Sequence, residues 1–229
     1  MPADSASVVF WAGGKLNRVD TASGKANVIP FHVADSRSVI DPPRPPVAVA
    51  PDSFETKMPR GAQVSPDGKT VVFETLGKLW LKNASGGEPR RLTGDGEAME
   101  AYPAWSADGK KIVYVRWTDA GLGSLQVIGA GGGKATALTQ QPGHYAHPRF
   151  SPDGKLVVFE KDSGGFLTSP RGGGEQGIYR IPASGGAMVR ITENGRAPQF
   201  GASSDRVFVF EGGKESAVVS YDLNGEARR

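Results

Sequence analysis

Hydrophobic positions in the second three-quarters of this chain come in short β-branched and aromatic runs. Four share one form: Thr70-Val71-Val72-Phe73-Glu74, Lys111-Ile112-Val113-Tyr114-Val115, Leu156-Val157-Val158-Phe159-Glu160 and Arg206-Val207-Phe208-Val209-Phe210. Runs of this length and residue type predict strands rather than helices. Ahead of each stands a shorter stretch ending in a large apolar residue, Val64, Trp105 or Phe150. Between the two lies a polar step: Ser65-Pro66-Asp67-Gly68-Lys69, Ser106-Ala107-Asp108-Gly109-Lys110, Ser151-Pro152-Asp153-Gly154-Lys155, and a degenerate Ser203-Ser204-Asp205-Arg206. Such a step predicts a tight turn, because Asp hydrogen-bonds nearby backbone and Gly accepts positive φ.

Each unit continues with a third strand: Lys78-Leu79-Trp80-Leu81, Leu125-Gln126-Val127-Ile128, Ile178-Tyr179-Arg180-Ile181 or Val218-Val219-Ser220-Tyr221. Gly-rich turns follow at Ser85-Gly86-Gly87, Gly131-Gly132-Gly133 and Ser184-Gly185-Gly186. A fourth strand is expected at Arg91-Leu92-Thr93, Ala137-Leu138-Thr139 and Arg190-Ile191-Thr192. The signature serines stand 41, 45 and 52 residues apart. Four strands repeating at this period predict an all-β fold, a β-propeller of four-stranded antiparallel blades.

The blades are expected at 58–93, 94–139, 140–192 and 193–229, with residues 1–57 as a degenerate first blade plus a strap, all in one propeller domain. Val8-Val9-Phe10-Trp11, Leu16-Asn17-Arg18-Val19 and Ala26-Asn27-Val28-Ile29 match strands two to four of a blade, which makes about five units with ragged ends. Two stretches break the pattern. The Pro-rich run around Asp41-Pro42-Pro43-Arg44-Pro45-Pro46 reads as an extended strap, and residues 162–177 read as a Gly-rich insertion.

Composition narrows the function classes. Gly (32) and Pro (17) are abundant, as many turns require. Net charge is only +3 and the basic residues are dispersed, which argues against nucleic-acid binding. Cysteine is absent, so disulfides and thiolate metal sites are excluded. No apolar run approaches bilayer length, so membrane insertion is not expected. Val8–Trp11 is too short for a signal-peptide core, so the chain as it stands reads as cytosolic or as the mature part of an exported protein.

The order Ser-Pro-Asp-Gly-Lys, strand, Leu-Trp strand, Gly-Gly turn, Leu-Thr resembles the repeats of TolB-like and tricorn-like (PD40, WD40-type) propellers, well over 58–229 and weakly over 5–31. Glu55–Ala62 and Ala101–Trp105 also resemble the propeller region of bacterial amidohydrolase-related proteins. The resemblance implies a periplasmic or secreted binding protein associated with a hydrolase. In those proteins the propeller accompanies a metal-dependent hydrolase domain that this sequence does not show, so no activity is carried over, and the amidohydrolase His-x-His signature is missing.

Candidate chemistry is sparse. His144 and His147 are three apart, but they lead into a strand at Pro148, which does not suit a metal pair. No Gly-x-Ser-x-Gly elbow is present, and the Gly129–Lys134 and Gly172–Gly174 runs lack the Lys-Ser/Thr and helix of a phosphate loop. No cofactor and no metal are expected. What remains is the mouth of the channel, where first strands of all blades converge. Alternation is expected to turn Gln63, Ala104, Arg149 and Gln199 toward that channel and Val64, Trp105 and Phe150 between blades. The expected ligand-binding residues are Arg60, Glu100, Tyr102, His144, His147, Arg149 and Arg196. The leading expectation is a non-catalytic binding or scaffold propeller, the accessory part of a larger hydrolase-related protein, that takes a peptide, a protein partner or a small polar ligand. Two alternatives are a hydrolase acting through Glu100, Tyr102, His144 and His147, and a fragment that self-associates through open blade ends.

Overall fold

The structure, a computed structural model, describes residues 6–43, 51–94, 96–162, 175–213 and 215–229. Among these residues every regular element is a strand, and no helix is long and apolar enough to cross a membrane. The chain divides into two compact units, Met1–Asp52 and Ser53–Arg229. The described part of the expected strap contains no strand, and residues 44–50 lie outside the described residues, as does most of the expected insertion, 163–174.

The first unit is a three-stranded antiparallel sheet in the order β1 (Ser7–Ala12), β2 (Lys15–Asp20), β3 (Ala26–Ile29). The Asp20 carboxylate accepts the Ser23 N–H (2.8 Å) and so pins the β2–β3 turn.

The second unit holds four antiparallel sheets. The first is β4 (Arg60–Val64), β5 (Thr70–Thr75), β6 (Lys78–Asn83) and β7 (Arg90–Arg91). The second is β8 (Met99–Trp105), β9 (Lys111–Thr118), β10 (Leu122–Gly129) and β11 (Thr136–Ala137). The third is β12 (His144–Phe150), β13 (Leu156–Asp162), β14 (Gly177–Pro182) and β15 (Val189–Thr192). The fourth has β16 (Arg196–Phe200), β17 (Arg206–Glu211) and β18 (Ala217–Asp222). Strand order is sequential in every sheet, as the repeat predicts. The fourth sheet carries more than its repeat promised: after β18 the chain turns back, and Arg229 and Ser220 exchange two backbone hydrogen bonds of 3.0 Å, where the other sheets place their fourth strand.

The signature turns share one hydrogen-bond circuit. The Ser65 hydroxyl donates to Asp67 (2.6 Å) and accepts the Thr70 N–H (2.9 Å). Ser106, Asp108 and Lys111 repeat these bonds at the same lengths, as do Ser151, Asp153 and Leu156. Gly109, φ +69°, shows why glycine stands there. The degenerate turn keeps its Ser203–Asp205 bond.

The core lies between sheets. Along each second strand, alternate residues face the preceding and the following sheet. Val72 of the first sheet packs with Ile112 and Tyr114 of the second. Val113 and Val115 pack with Val157 and Phe159 of the third, and Val158 with Val207 and Val209 of the fourth. Tyr114, Phe150 and Phe159 are buried as expected, whereas Phe73 and Trp105 are half-buried. Both faces of an inner sheet are therefore covered by neighbours. That overturns the expected alternation between channel and blade interface: Ala104, assigned to the channel, is buried in the same cluster as Val113 and Val157. In stacked sheets, alternation sorts side chains between one neighbour and the other.

Candidate functional site

The first strands present side chains at their inner edge by another device. In β4, β8, β12 and β16 the register with the next strand slips at the same place, between Arg60 and Gln63, Ala101 and Ala104, Ala146 and Arg149, and Arg196 and Gln199. The residue after the slip begins is left-handed each time: Gly61 (φ +57°), Tyr102 (+55°), His147 (+50°) and Ala197 (+50°). These are β-bulges, which re-aim a side chain out of the pleat. Three of the four hold a non-glycine residue in a region that costs energy, and proline follows in all three, at Pro103, Pro148 and Pro198.

The bulges are stitched to one another. Glu74, the last residue but one of β5, accepts the N–H of Tyr102 in the next sheet (3.4 Å). Glu160, at the equivalent place in β13, accepts the N–H of Ala197 in the next sheet (3.2 Å). The Tyr102 and His147 rings meet at 4.5 Å between centroids. His147 Nδ1 lies 3.1 Å from Glu160 Oε2; a carboxylate only accepts, so Nδ1–H donates. The result is one line of polar and aromatic groups running Glu74, Tyr102, His147, Glu160, Ala197 across all four sheets. Burial, and then the Glu74 and Glu160 carboxylates, push the Tyr102 phenol above its usual pKa, while Arg60 opposes the rise. Arg60 opens the equivalent bulge in β4.

Arg149 is half-buried in β12, two residues past His147. Burial pulls its pKa down. Its hydrogen bond among the described residues is to the neighbouring carbonyl of Pro148 (2.8 Å), which leaves most of its five N–H donors for a further acceptor. Arg196 is exposed and covers the Phe210 ring at 5.2 Å. A cleft of about 520 Å³ runs past it, lined by Glu160, Asp162, Glu193 and Arg196 among others.

Two expected residues stand apart. His144 is exposed and pairs with the Trp117 ring at 4.7 Å. Glu100 is buried, accepting the Leu79 N–H (3.2 Å) and the Thr93 hydroxyl. It ties the second sheet to the first and does not reach the line. Glu74 and Glu160 were not among the expected site residues, although the repeat carries the signal: each follows its signature serine by nine residues and ends an apolar run. Among the described residues no cluster of three or more His, Asp or Glu is arranged to hold a metal.

Comparison with known proteins gives the site its family setting. An uncharacterised protein of Agrobacterium fabrum is 27% identical over 167 residues, covering 70% of this chain and 50% of that protein. The Tol-Pal system protein TolB of Francisella tularensis subsp. mediasiatica is 35% identical over 95 residues, 41% of this chain and 20% of that one. Dipeptidyl-peptidase 5 of Porphyromonas gingivalis is 35% identical over 109 residues, 43% and 16% respectively. The chain thus spans half or less of the length of these relatives. The solved structure of a putative TolB from Agrobacterium tumefaciens superposes with a TM-score of 0.61 at 20% identity, over 99% of this chain and 76% of that one, which shows a shared fold. The model of the TolB beta propeller domain family, PD40, matches residues 59–229, three-quarters of the sequence, and the chain belongs to that family.

Proposed function

We propose that this chain is a non-catalytic binding propeller whose ligand, a peptide or a small polar molecule bearing a carboxylate, lies along the line of bulges. The supporting observation is the bulge repeated in all four first strands, which brings Tyr102 of one sheet against His147 of the next at 4.5 Å. The side chains there suit an anionic or amphipathic ligand. Arg149 offers a half-buried guanidinium rich in unused donors, and charge-assisted bonds to such a group are among the stronger ones. Tyr102 and His147 offer an aromatic edge, and Arg60 a second positive charge. Glu74 and Glu160 are engaged in holding backbone and imidazole, so they favour a ligand with donors of its own beside its carboxylate, as a peptide has.

Within this proposal the module serves as an accessory or scaffold of a larger, exported, hydrolase-associated protein, a reading supported by its similarity to a TolB and to a peptidase. The test is a calorimetric titration with a library of short peptides and their C-terminal amides, using wild type, His147→Ala and Arg149→Ala. Alanine is compatible with the bulge, since Ala197 occupies the equivalent place. Binding should prefer the free carboxylate and weaken at least tenfold in Arg149→Ala, about 1.4 kcal/mol. Equal affinity in all three proteins, each shown to be folded, would sink the proposal.

A further inference from the structure

A second cavity, of about 330 Å³, lies against the second sheet and shares no side chain with the line of bulges. Three polar side chains in its wall are deeply buried: Glu100 is 6% exposed, Tyr114 2% and Gln126 9%. Strand register brings them together with Arg116. Glu100 of β8 stands opposite Arg116 of β9, and Tyr114 of β9 opposite Gln126 of β10. Tyr114 and Arg116 are two residues apart and so share a face.

Polar groups buried this far are normally hydrogen-bonded. Here each keeps an atom in reserve among the described residues. Glu100 spends Oε2 on the Leu79 N–H (3.2 Å) and the Thr93 hydroxyl, which leaves Oε1. The Gln126 amide donates to Ser124 Oγ (2.9 Å), which leaves its carbonyl oxygen. The Tyr114 hydroxyl bonds to no described residue, although the ring is packed into the core. Burial, and then the Glu100 carboxylate, push this phenol up to about 12, while Arg116 opposes the rise. The hydroxyl is therefore neutral at ordinary pH and feels both charges.

A carboxylate oxygen, an amide carbonyl and a neutral phenol make a set rich in acceptors. An ammonium answers it with three donors and no acceptor of its own. Arg116, exposed on the same face, answers a carboxylate. Glu100 and Arg116 form no ion pair with each other among the described residues, yet they stand on directly opposed positions of neighbouring strands. A ligand that meets both must carry its two charges close together. We propose that this cavity binds a free α-amino acid, with its ammonium on Glu100, Gln126 and Tyr114 and its carboxylate toward Arg116. The volume is at the low end for ligand pockets and suits one amino acid rather than a peptide. Ile128 and Ala135 add an apolar wall for its side chain.

The test is ligand-detected NMR titration with each of the common L-amino acids. The tightest binder is then compared with its N-acetyl derivative, which lacks the ammonium, and with its decarboxylated amine. At least one amino acid should bind with Kd below about 1 mM, and both derivatives at least tenfold more weakly. Tyr114→Phe should weaken binding at least threefold. Without ligand it should resist urea as well as wild type does, because the lost hydroxyl has no partner within the protein. Glu100→Gln keeps an acceptor for the Leu79 N–H and should weaken binding at least tenfold; if it does not fold, Tyr114→Phe decides alone. Failure of every amino acid to reach that affinity would overturn the proposal. So would a derivative that binds like the amino acid, or wild-type affinity in Tyr114→Phe, which would place the binding elsewhere, the line of bulges included.

Discussion

Tyr102, His147 and Ala197 hold left-handed backbone where an L-residue is strained. Each has a compensation that can be named. Tyr102 and Ala197 surrender their N–H to a carboxylate of the preceding sheet, and His147 holds Glu160 through its imidazole. Ala197 has the least to lose, since its side chain is a single methyl. Ala197→Gly should therefore stabilise the protein by about 0.5–1 kcal/mol, the relief of the left-handed penalty less the entropy that glycine adds to the unfolded chain. Urea denaturation of the two proteins checks the sign, and a destabilised variant would mean that the bulge is not strained. The position of these residues was legible in the sequence but their geometry was not. Counting back four from Ser65, Ser106 and Ser151 finds Gly61, Tyr102 and His147, and the matching place in the fourth unit is Ala197, six before Ser203. A simple alternating strand puts them on one face with Gln63, Ala104 and Arg149, because nothing in the residue types announces a bulge when only one of the four is glycine. Glu74 and Glu160 were missed for a related reason: each closes an apolar run in sequence, which gives no sign that its carboxylate reaches the backbone of the next sheet.

At the scale of elements, the turns were the most legible feature. Every bond of the Ser–Asp circuit closes within six residues of chain, so residue type and spacing suffice to foresee it. The fourth strands were less so; β7 and β11 begin one residue earlier than the Leu-Thr pattern suggested and are only two residues long. The turn circuit makes a pH prediction. The Ser106 hydroxyl, and then the Lys110 N–H, hold the Asp108 carboxyl below its ordinary value of 3.8. A carboxylate depressed by folding adds stability above its unfolded pKa and withdraws it as pH falls through the folded one. Thermal unfolding should thus fall more steeply between pH 4 and pH 2 for wild type than for Asp108→Asn, which keeps an acceptor oxygen without the titration. Parallel curves would detach Asp108 from the acid response.

For the molecule as a whole, stability in a stacked array is the sum of each sheet's own stability and its interfaces with neighbours. Within the second unit, the second and third sheets pack against two neighbouring sheets and the first and fourth against one. Amide hydrogen exchange of dilute protein should accordingly be slowest in β9, β10, β13 and β14 and distinctly faster in β5, β6, β17 and β18. Uniform protection across the four sheets would indicate that they open as one unit. The repeat period alone foretold this layered organisation, because a fixed period with an apolar second strand leaves each unit dependent on the next. It did not foretell the exposure of each position: Val218, 71% exposed, reads in sequence like the buried Leu79 or Ile178.

The circuit at the signature turns bears also on how such a chain changes over generations. Ser, Asp and Gly travel together on one short stretch, so duplicating a single repeat carries a complete, self-sufficient turn to its new place and leaves the turns on either side undisturbed. Blade number is then free to drift, and selection falls on the broad apolar faces, which must match whichever neighbour the duplication supplies.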